Sequence, residues 1–226
     1  MKTNFQNRFI SGLTFVELLV VIAVLVILAV ILLPALNRPT SRAPRITCVN
    51  NLKQVGLSFR LYAGDNNDRY PTNLSTNEEP VVNEMTPVYQ YFQSLSNELG
   101  TVKIIVCPSD EKRHPSIYDS VYSGIGRKDF INLKDTNISY FVGLDANENF
   151  PNSVLSGDRN IKNGVAPDHG VLRLTTNQMV EFTDKIHKKQ GNIALVDGSV
   201  QQVSSARLRS EFLPNTGFAT NRIKLP

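Results

Sequence analysis

The side chains of this 226-residue chain that could do chemistry are few and far apart. Cys48 and Cys107 form neither a Cys-x-x-Cys pair nor a zinc-finger spacing. Two states stay open for them, one disulfide in an exported protein or two buried thiols. The bridge would close a long loop, which stabilises by roughly 4 kcal/mol in the chain-entropy model. His187 is followed, after nine intervening residues, by Asp197 and Gly198. A metal ion needs three or four donors, and His187, Asp197 and Asp158 are the candidates, with His169, Asp168 and Asp184 in neighbouring polar stretches. No two of these stand at the i,i+4 spacing that puts ligands on one helix face, so the pattern assigns no metal. The acids from Asp65 to Asp68 lack the glycine and distal glutamate of an EF-hand and read as a turn. No G-x-S-x-G, H-E-x-x-H, phosphate-binding loop or G-x-G-x-x-G occurs, so neither an enzyme nor a cofactor is expected.

Glu17 is a carboxylate in an apolar setting. Leu13–Leu36 is apolar at every position except Thr14, Glu17 and Pro34, and Leu18–Leu33 is apolar without interruption. Twenty-four helical residues reach about 36 Å, against ~30 Å for a bilayer's hydrocarbon layer, so a transmembrane helix is predicted. The run is longer than the apolar region of a cleaved signal peptide. Lys2 and Arg8 precede it, and Arg38, Arg42 and Arg45 follow. A carboxylate costs roughly 2.5–3.5 kcal/mol at the centre of a bilayer and less near its surface. Glu17 therefore either sits at headgroup depth or meets a cation. No Lys or Arg occurs between Ser11 and Asn37, but a cut before Leu13 would create a free α-amino group. Pro34 removes a helical hydrogen bond and should kink the helix.

The remaining elements must position these groups. From Asn37 onwards the chain is about 36% apolar and holds 20 of the 22 asparagines. That composition excludes a polytopic membrane protein, a disordered chain and a coiled coil. The formal charge of +4 is too small to indicate nucleic acid as a partner. Residues 37–44 (NRPTSRAP) read as a break, and 45–63 as an amphipathic helix with Ile46, Val49, Leu52, Val55, Phe59 and Tyr62 on one stripe. A second helix is predicted over Glu84–Asn97. Strands are predicted at Thr101–Cys107, Ser139–Leu144 and Val171–Thr175, with Asp145–Asn163 as loop. In GNIALVDGSVQQV (191–203), Asp197 and Gly198 predict a two-residue type I′ hairpin pairing Leu195 with Val200.

Phe9-Ile10-Ser11-Gly12 followed by Leu13-Thr14-Phe15-Val16-Glu17 and the apolar run resembles the prepilin signature of type IV pilins and type II secretion pseudopilins. The block from Cys48 to Leu57 (CVNNLKQVGL) and the H-x9-DG element of His187, Asp197 and Gly198 resemble a large pilin-like family of planctomycete and verrucomicrobial type. The resemblance implies an α+β, pilin-like fold, with a long N-terminal hydrophobic helix and an antiparallel-sheet globular head. Residues 1–12 would be a leader cut by a prepilin peptidase between Gly12 and Leu13, with Leu13 then N-methylated. Glu17 would serve assembly, and Pro34 would let the rod flex. Residues 13–36 would form the transmembrane and assembly segment of a helix region reaching residue 63. The head would be 64–226, with the H-x9-DG hairpin at 187–203. The implied location is a single pass through the inner membrane with the head outside the cytoplasm, and from there assembly into a periplasmic or surface filament. Implied partners are the peptidase/methyltransferase, other pilin or pseudopilin subunits and the membrane, with no specific nucleic acid. Some major pseudopilins hold a structural Ca²⁺ near the C-terminus, which here would draw on His187, Asp197 and Asp158. The alternative function is a membrane-anchored extracytoplasmic binding domain that never polymerises.

Overall fold

The computed structural model describes residues 14–36, 42–73, 75–76, 79–80, 84–112 and 130–226. The leader, Gly12, Leu13, residues 37–41 and His114 lie outside the described residues. The chain divides into two compact units, Met1–Thr40 and Ser41–Pro226.

In the first unit, α1 spans Phe15–Leu36. Its start is dictated by Thr14 and Glu17. The Glu17 N–H donates to Thr14 Oγ1 at 3.3 Å, and Glu17 Oε2 accepts from the Thr14 N–H at 2.8 Å. This reciprocal pair is a capping box, and it gives Glu17 a local role that the Thr-x-x-Glu spacing already encodes. The Thr14 hydroxyl donates to the same carboxylate oxygen at 2.8 Å. Every described side chain of α1 is exposed.

The second unit is built on α2 (Arg42–Asp65), which starts three residues before the predicted helix. Pro44 falls in its first turn, where a missing N–H is harmless. The buried stripe is Cys48, Leu52, Val55, Phe59 and Ala63, at spacings of three and four. Ile46, predicted on that stripe, is exposed, because Cys48 rather than Ile46 faces inwards. Short elements follow: the strands β1 (Ser75–Thr76) and β2 (Glu79–Pro80), then the helices α3 (Val88–Ser94) and α4 (Ser96–Leu99). The predicted helix over Glu84–Asn97 is thus delayed to Pro87 and broken at Leu95, whose φ of −87° and ψ of 12° leave the helical region. Thr101–Cys107, predicted as a strand, is a buried 3₁₀ turn at Val102–Ile105. Thr101 caps it by accepting from the Lys103 N–H. A short apolar run is buried equally well in either form, so its pattern does not distinguish them.

Among the described residues eight further strands follow: β3 (Tyr140–Gly143), β4 (Val154–Asp158), β5 (Ile161–Lys162), β6 (Val171–Thr175), β7 (Glu181–Phe182), β8 (Gln190–Leu195), β9 (Val200–Ser204) and β10 (Thr220–Lys224). Six form one antiparallel sheet in the order β6-β10-β3-β4-β8-β9. Strand β4 falls within the stretch read as loop, yet all five of its residues are buried. Ser156 there hides its hydroxyl by donating to the Phe141 carbonyl at 2.7 Å. Side chains alternate between faces. Tyr140, Val142, Ala194 and Val196 join the α2 core, whereas Phe141, Ile193 and Leu195 join a second core under Leu208 and Leu213.

The β8–β9 hairpin pairs Ala194 with Val200, one residue away from the predicted register. Gly198 has a φ of +87°, its N–H donates to the Leu195 carbonyl at 3.0 Å, and the Leu195 N–H donates to Ser199 O at 2.9 Å. This is a three-residue loop ending in a left-handed glycine rather than a type I′ turn. Asp197 favours it by accepting from the Ser199 N–H at 2.7 Å.

Two expectations are corrected here. The pilin-like α+β layout with a long membrane-length helix gives way to a mostly sheet body and a short N-terminal helix. Among the described residues no helix is long and apolar enough to cross a membrane. Between Glu17 and Pro34 only the sixteen residues of Leu18–Leu33 are uninterrupted, about 24 Å of helix against a ~30 Å layer. The transmembrane segment and the single-pass inner-membrane location therefore lose their support.

A Cβ placed on Gly143 would lie 1.9 Å from the Val154 carbonyl oxygen, so β3 and β4 would have to part. Gly143→Ala should lower the unfolding free energy by about 3 kcal/mol. Gly64→Ala in α2, with nothing within 4 Å, should raise it by about 0.5–1 kcal/mol. Urea denaturation of the two variants checks both signs.

Candidate functional site

The polar groups the fold buries most deeply gather where the start of α2, the end of β4 and the entry to β8 meet. Cys48 in α2 and Cys107 are joined by a disulfide, and both residues are fully buried. His187 Nε2 lies 3.4 Å from Cys107 Sγ and 3.5 Å from Asp158 Oδ2. Asp158 ends β4 and is fully buried, with Oδ2 accepting from the Asn192 N–H at 2.6 Å and from Asn192 Nδ2 at 2.9 Å. The other oxygen of Asp158, Oδ1, is buried with no hydrogen-bond partner among the described residues, as are Asn192 Oδ1, Asn160 Oδ1 and Arg45 Nε. Beside them Arg159 grips the buried Asp110 through Nε at 2.7 Å and Nη2 at 2.6 Å. Arg45 donates to Gln190 Oε1.

His187 reaches this place because the connection from β7 to β8 is tightly folded. Lys188 and Lys189 both take positive φ, 51° and 62°, which is uncommon for residues with a Cβ. Asn160 Nδ2 clamps the connection by donating to the carbonyls of Thr183 at 2.9 Å and Gln190 at 3.2 Å.

His187 and Asp197 do not share a site. They flank the two ends of β8, whose six residues extend about 20 Å. Asp197 is exposed in the hairpin loop, and its carbonyl accepts from Arg60 Nη1 at 3.3 Å. Arg45, which donates to Gln190 at the start of β8, and Arg60 are fifteen residues apart on α2, about 22 Å, so α2 is held at both ends of the same strand. The nine residues between His187 and Asp197 thus span one strand. His169 and Asp168 form an exposed pair 3.6 Å apart, and Asp184 is exposed. None of the three joins the buried cluster. Residues that do join it, Asp110, Arg159, Asn160 and Asn192, have no recognisable spacing, and 49 positions separate Asp110 from Arg159.

Burial dominates the electrostatics. Loss of water pushes the Asp158 carboxyl up to about 7, against the opposing Asn192 hydrogen bonds. The same loss, aided by the Arg45 charge, pushes the His187 imidazole down to about 4. Both groups therefore favour their neutral forms, and between these limits a protonated carboxyl faces an uncharged imidazole.

No family model, curated protein or solved structure matches the chain.

The pair has a defined effect on stability. A raised Asp158 contributes stability that is full below about pH 4 and lost as pH rises to about 7. A depressed His187 contributes stability that is full above about pH 6.5 and lost as pH falls to about 4. The two contributions offset one another between about pH 4.5 and 6.5. Replacing His187 by Gln should make the unfolding free energy fall with rising pH in that window, and Asp158→Asn should make it rise. Neither slope should exceed about 1.4 kcal/mol per pH unit. Urea titrations at the ends of the window read the two signs. Separately, the disulfide spans 59 positions, so the oxidised chain should be about 4 kcal/mol more stable than the Cys48→Ser, Cys107→Ser double variant in the same assay.

Proposed function

We propose that the chain is a structural filament subunit of the prepilin and pseudopilin kind. It would be cut between Gly12 and Leu13 by a prepilin peptidase, N-methylated at Leu13 and assembled through α1. The observation that carries this reading is the exposure of α1 all round. Fourteen large apolar side chains from Phe15 to Ile31 are half or more exposed. Covering them is worth about 1 kcal/mol or more apiece, a total comparable to the stability of a whole domain. A single docking groove covers one face of a helix, whereas a bundle of like helices covers every face. Other copies of the same chain satisfy that requirement.

Glu17 supports the same reading. It is the one charge on α1, and an α-amino group made by cutting before Leu13 would supply a cation at the same end of the helix. Pairing that amine with Glu17 of a neighbouring subunit would set the axial register, because an unpaired carboxylate inside an apolar bundle is costly. The body contributes a disulfide-tied scaffold, and a disulfide fits an oxidising compartment.

Mass spectrometry of chain co-expressed with a prepilin peptidase should find an N-methylated Leu13 at the new N-terminus. An intact Met1, or a cut near Ala43, would sink the reading. Electron microscopy separates the two jobs of Glu17. Glu17→Gln keeps a capping side chain and loses the charge, so it should process normally and form no filaments, as should Glu17→Ala. Normal filaments from Glu17→Gln would leave Glu17 as a helix cap alone.

A further inference from the structure

The sulfurs of Cys48 and Cys107 and the imidazole of His187 hold their donor atoms within 4.8 Å of one another, all buried. We propose that in the dithiol state this cluster, completed by Asp158, is a closed site for a thiophilic divalent cation of the Zn²⁺ class. Around a tetrahedral Zn²⁺, with bonds of ~2.3 Å to sulfur and ~2.0–2.1 Å to nitrogen or oxygen, neighbouring S and N donors lie about 3.6 Å apart, and N and O donors about 3.4 Å. The separations here are 3.4 Å for Cys107 Sγ to His187 Nε2 and 3.5 Å for His187 Nε2 to Asp158 Oδ2. Two edges of the tetrahedron therefore stand at ligand spacing already. To close the remaining edges the two sulfurs must part to about 3.8 Å, which the absence of the covalent bond allows, and Asp158, which is not one of the three residues grouped within 4.8 Å, must draw in towards them.

Three further observations point to a cation. Asp158 Oδ1 is buried with no hydrogen-bond partner among the described residues, so the carboxylate has spare lone pairs beside the cluster. Oδ2, the oxygen that stands at ligand spacing from His187, is itself oriented by two donors from Asn192, the kind of outer support that metal-binding carboxylates carry. Two thiolates and a carboxylate around a doubly charged cation leave one negative charge, and Arg45, whose charge acts on both Asp158 and His187, offsets it.

The chemistry balances without an external reductant, because every newly made chain begins as the dithiol. Two S–H bonds give up their protons to solvent as two sulfur–metal bonds form, and the Asp158 carboxyl gives up its own proton, where it carries one, as its oxygen binds. The imidazole binds through Nε2 and carries its proton on Nδ1. Closing the disulfide from the loaded state takes two electrons from the two thiolates and releases the cation, and those electrons, with two protons from solvent, reduce the disulfide of an oxidising partner to two thiols. The donors come from positions 48, 107, 158 and 187, so loading in the dithiol state ties together segments distant in sequence before oxidation replaces the cation with a covalent bond.

The test uses the full chain, reduced with a phosphine and kept in mild detergent, with Co²⁺ as probe. The expected result is a single Co²⁺ per chain with thiolate charge-transfer bands and the strong d–d bands of a tetrahedral site, displaced by Zn²⁺. The disulfide form should give none of these bands. His187→Ala should abolish the tetrahedral spectrum. Asn192→Ala, which leaves every ligand in place, should lower affinity by roughly 10- to 100-fold. Zn²⁺ should also protect both cysteines of the reduced chain from alkylation, a readout that needs no variant. A reduced chain with native far-ultraviolet circular dichroism but no thiolate bands would overturn the proposal. So would equal spectra from wild type and His187→Ala, or alkylation unaffected by Zn²⁺.

Discussion

A helix lying on a sheet is held by its apolar stripe, but that stripe alone leaves it free to slide and turn. In this body the freedom is removed by one buried polar knot. The Cys48–Cys107 disulfide ties the first turns of α2 to the segment before Asp110, and His187 and Asp158 pack against it from the far side of the sheet junction. Each of those polar groups is buried, so each depends on the others for satisfaction. Asp110 needs Arg159, Asp158 needs Asn192, and the connection carrying His187 needs Asn160. The Arg60 contact to the Asp197 carbonyl fixes the opposite end. Between these two anchors α2 and β8 match in length, which explains why the His-to-Asp-Gly interval spans one strand.

The first unit obeys a different constraint. Helix α1 is apolar on all sides, and its only charge is partly spent on capping its own first turn. Such a helix has no preferred face, so nothing in its own sequence selects one docking direction. Its length between Glu17 and Pro34 is short for a bilayer and ample for packing against like helices. The chemical character of the two units is therefore separable. The body is specified by buried polar pairs, and α1 by the lack of them.

Much of the body was legible one element at a time. The stripe from Leu52 to Phe59, the strand at Val171–Thr175 and the presence of a hairpin at Asp197-Gly198 all follow from local periodicity and turn chemistry. The errors have local physical reasons. Thr101 caps a 3₁₀ turn where apolar content alone suggested a strand, and Asp197 bonds to the Ser199 N–H and shifts the hairpin by one residue. The strand Val154–Asp158 was hidden because its Ser, Gly and Asp are buried by hydrogen bonds that only neighbouring strands supply.

By itself the sequence determined what depends on neighbours within a few positions: the apolar rod with Thr14 and Glu17 at its head, the amphipathic helix after it, and the turn at Gly198. The tertiary structure decided everything that depends on desolvation by distant segments. It made Cys48 and Cys107 partners, sent His187 inwards and Asp197 outwards, and assembled Asp158, Asn192, Asp110 and Arg159 from separate strands and turns. The reason is that a polar side chain looks alike in sequence whether it faces water or a buried partner, and only the packing of remote elements removes the water.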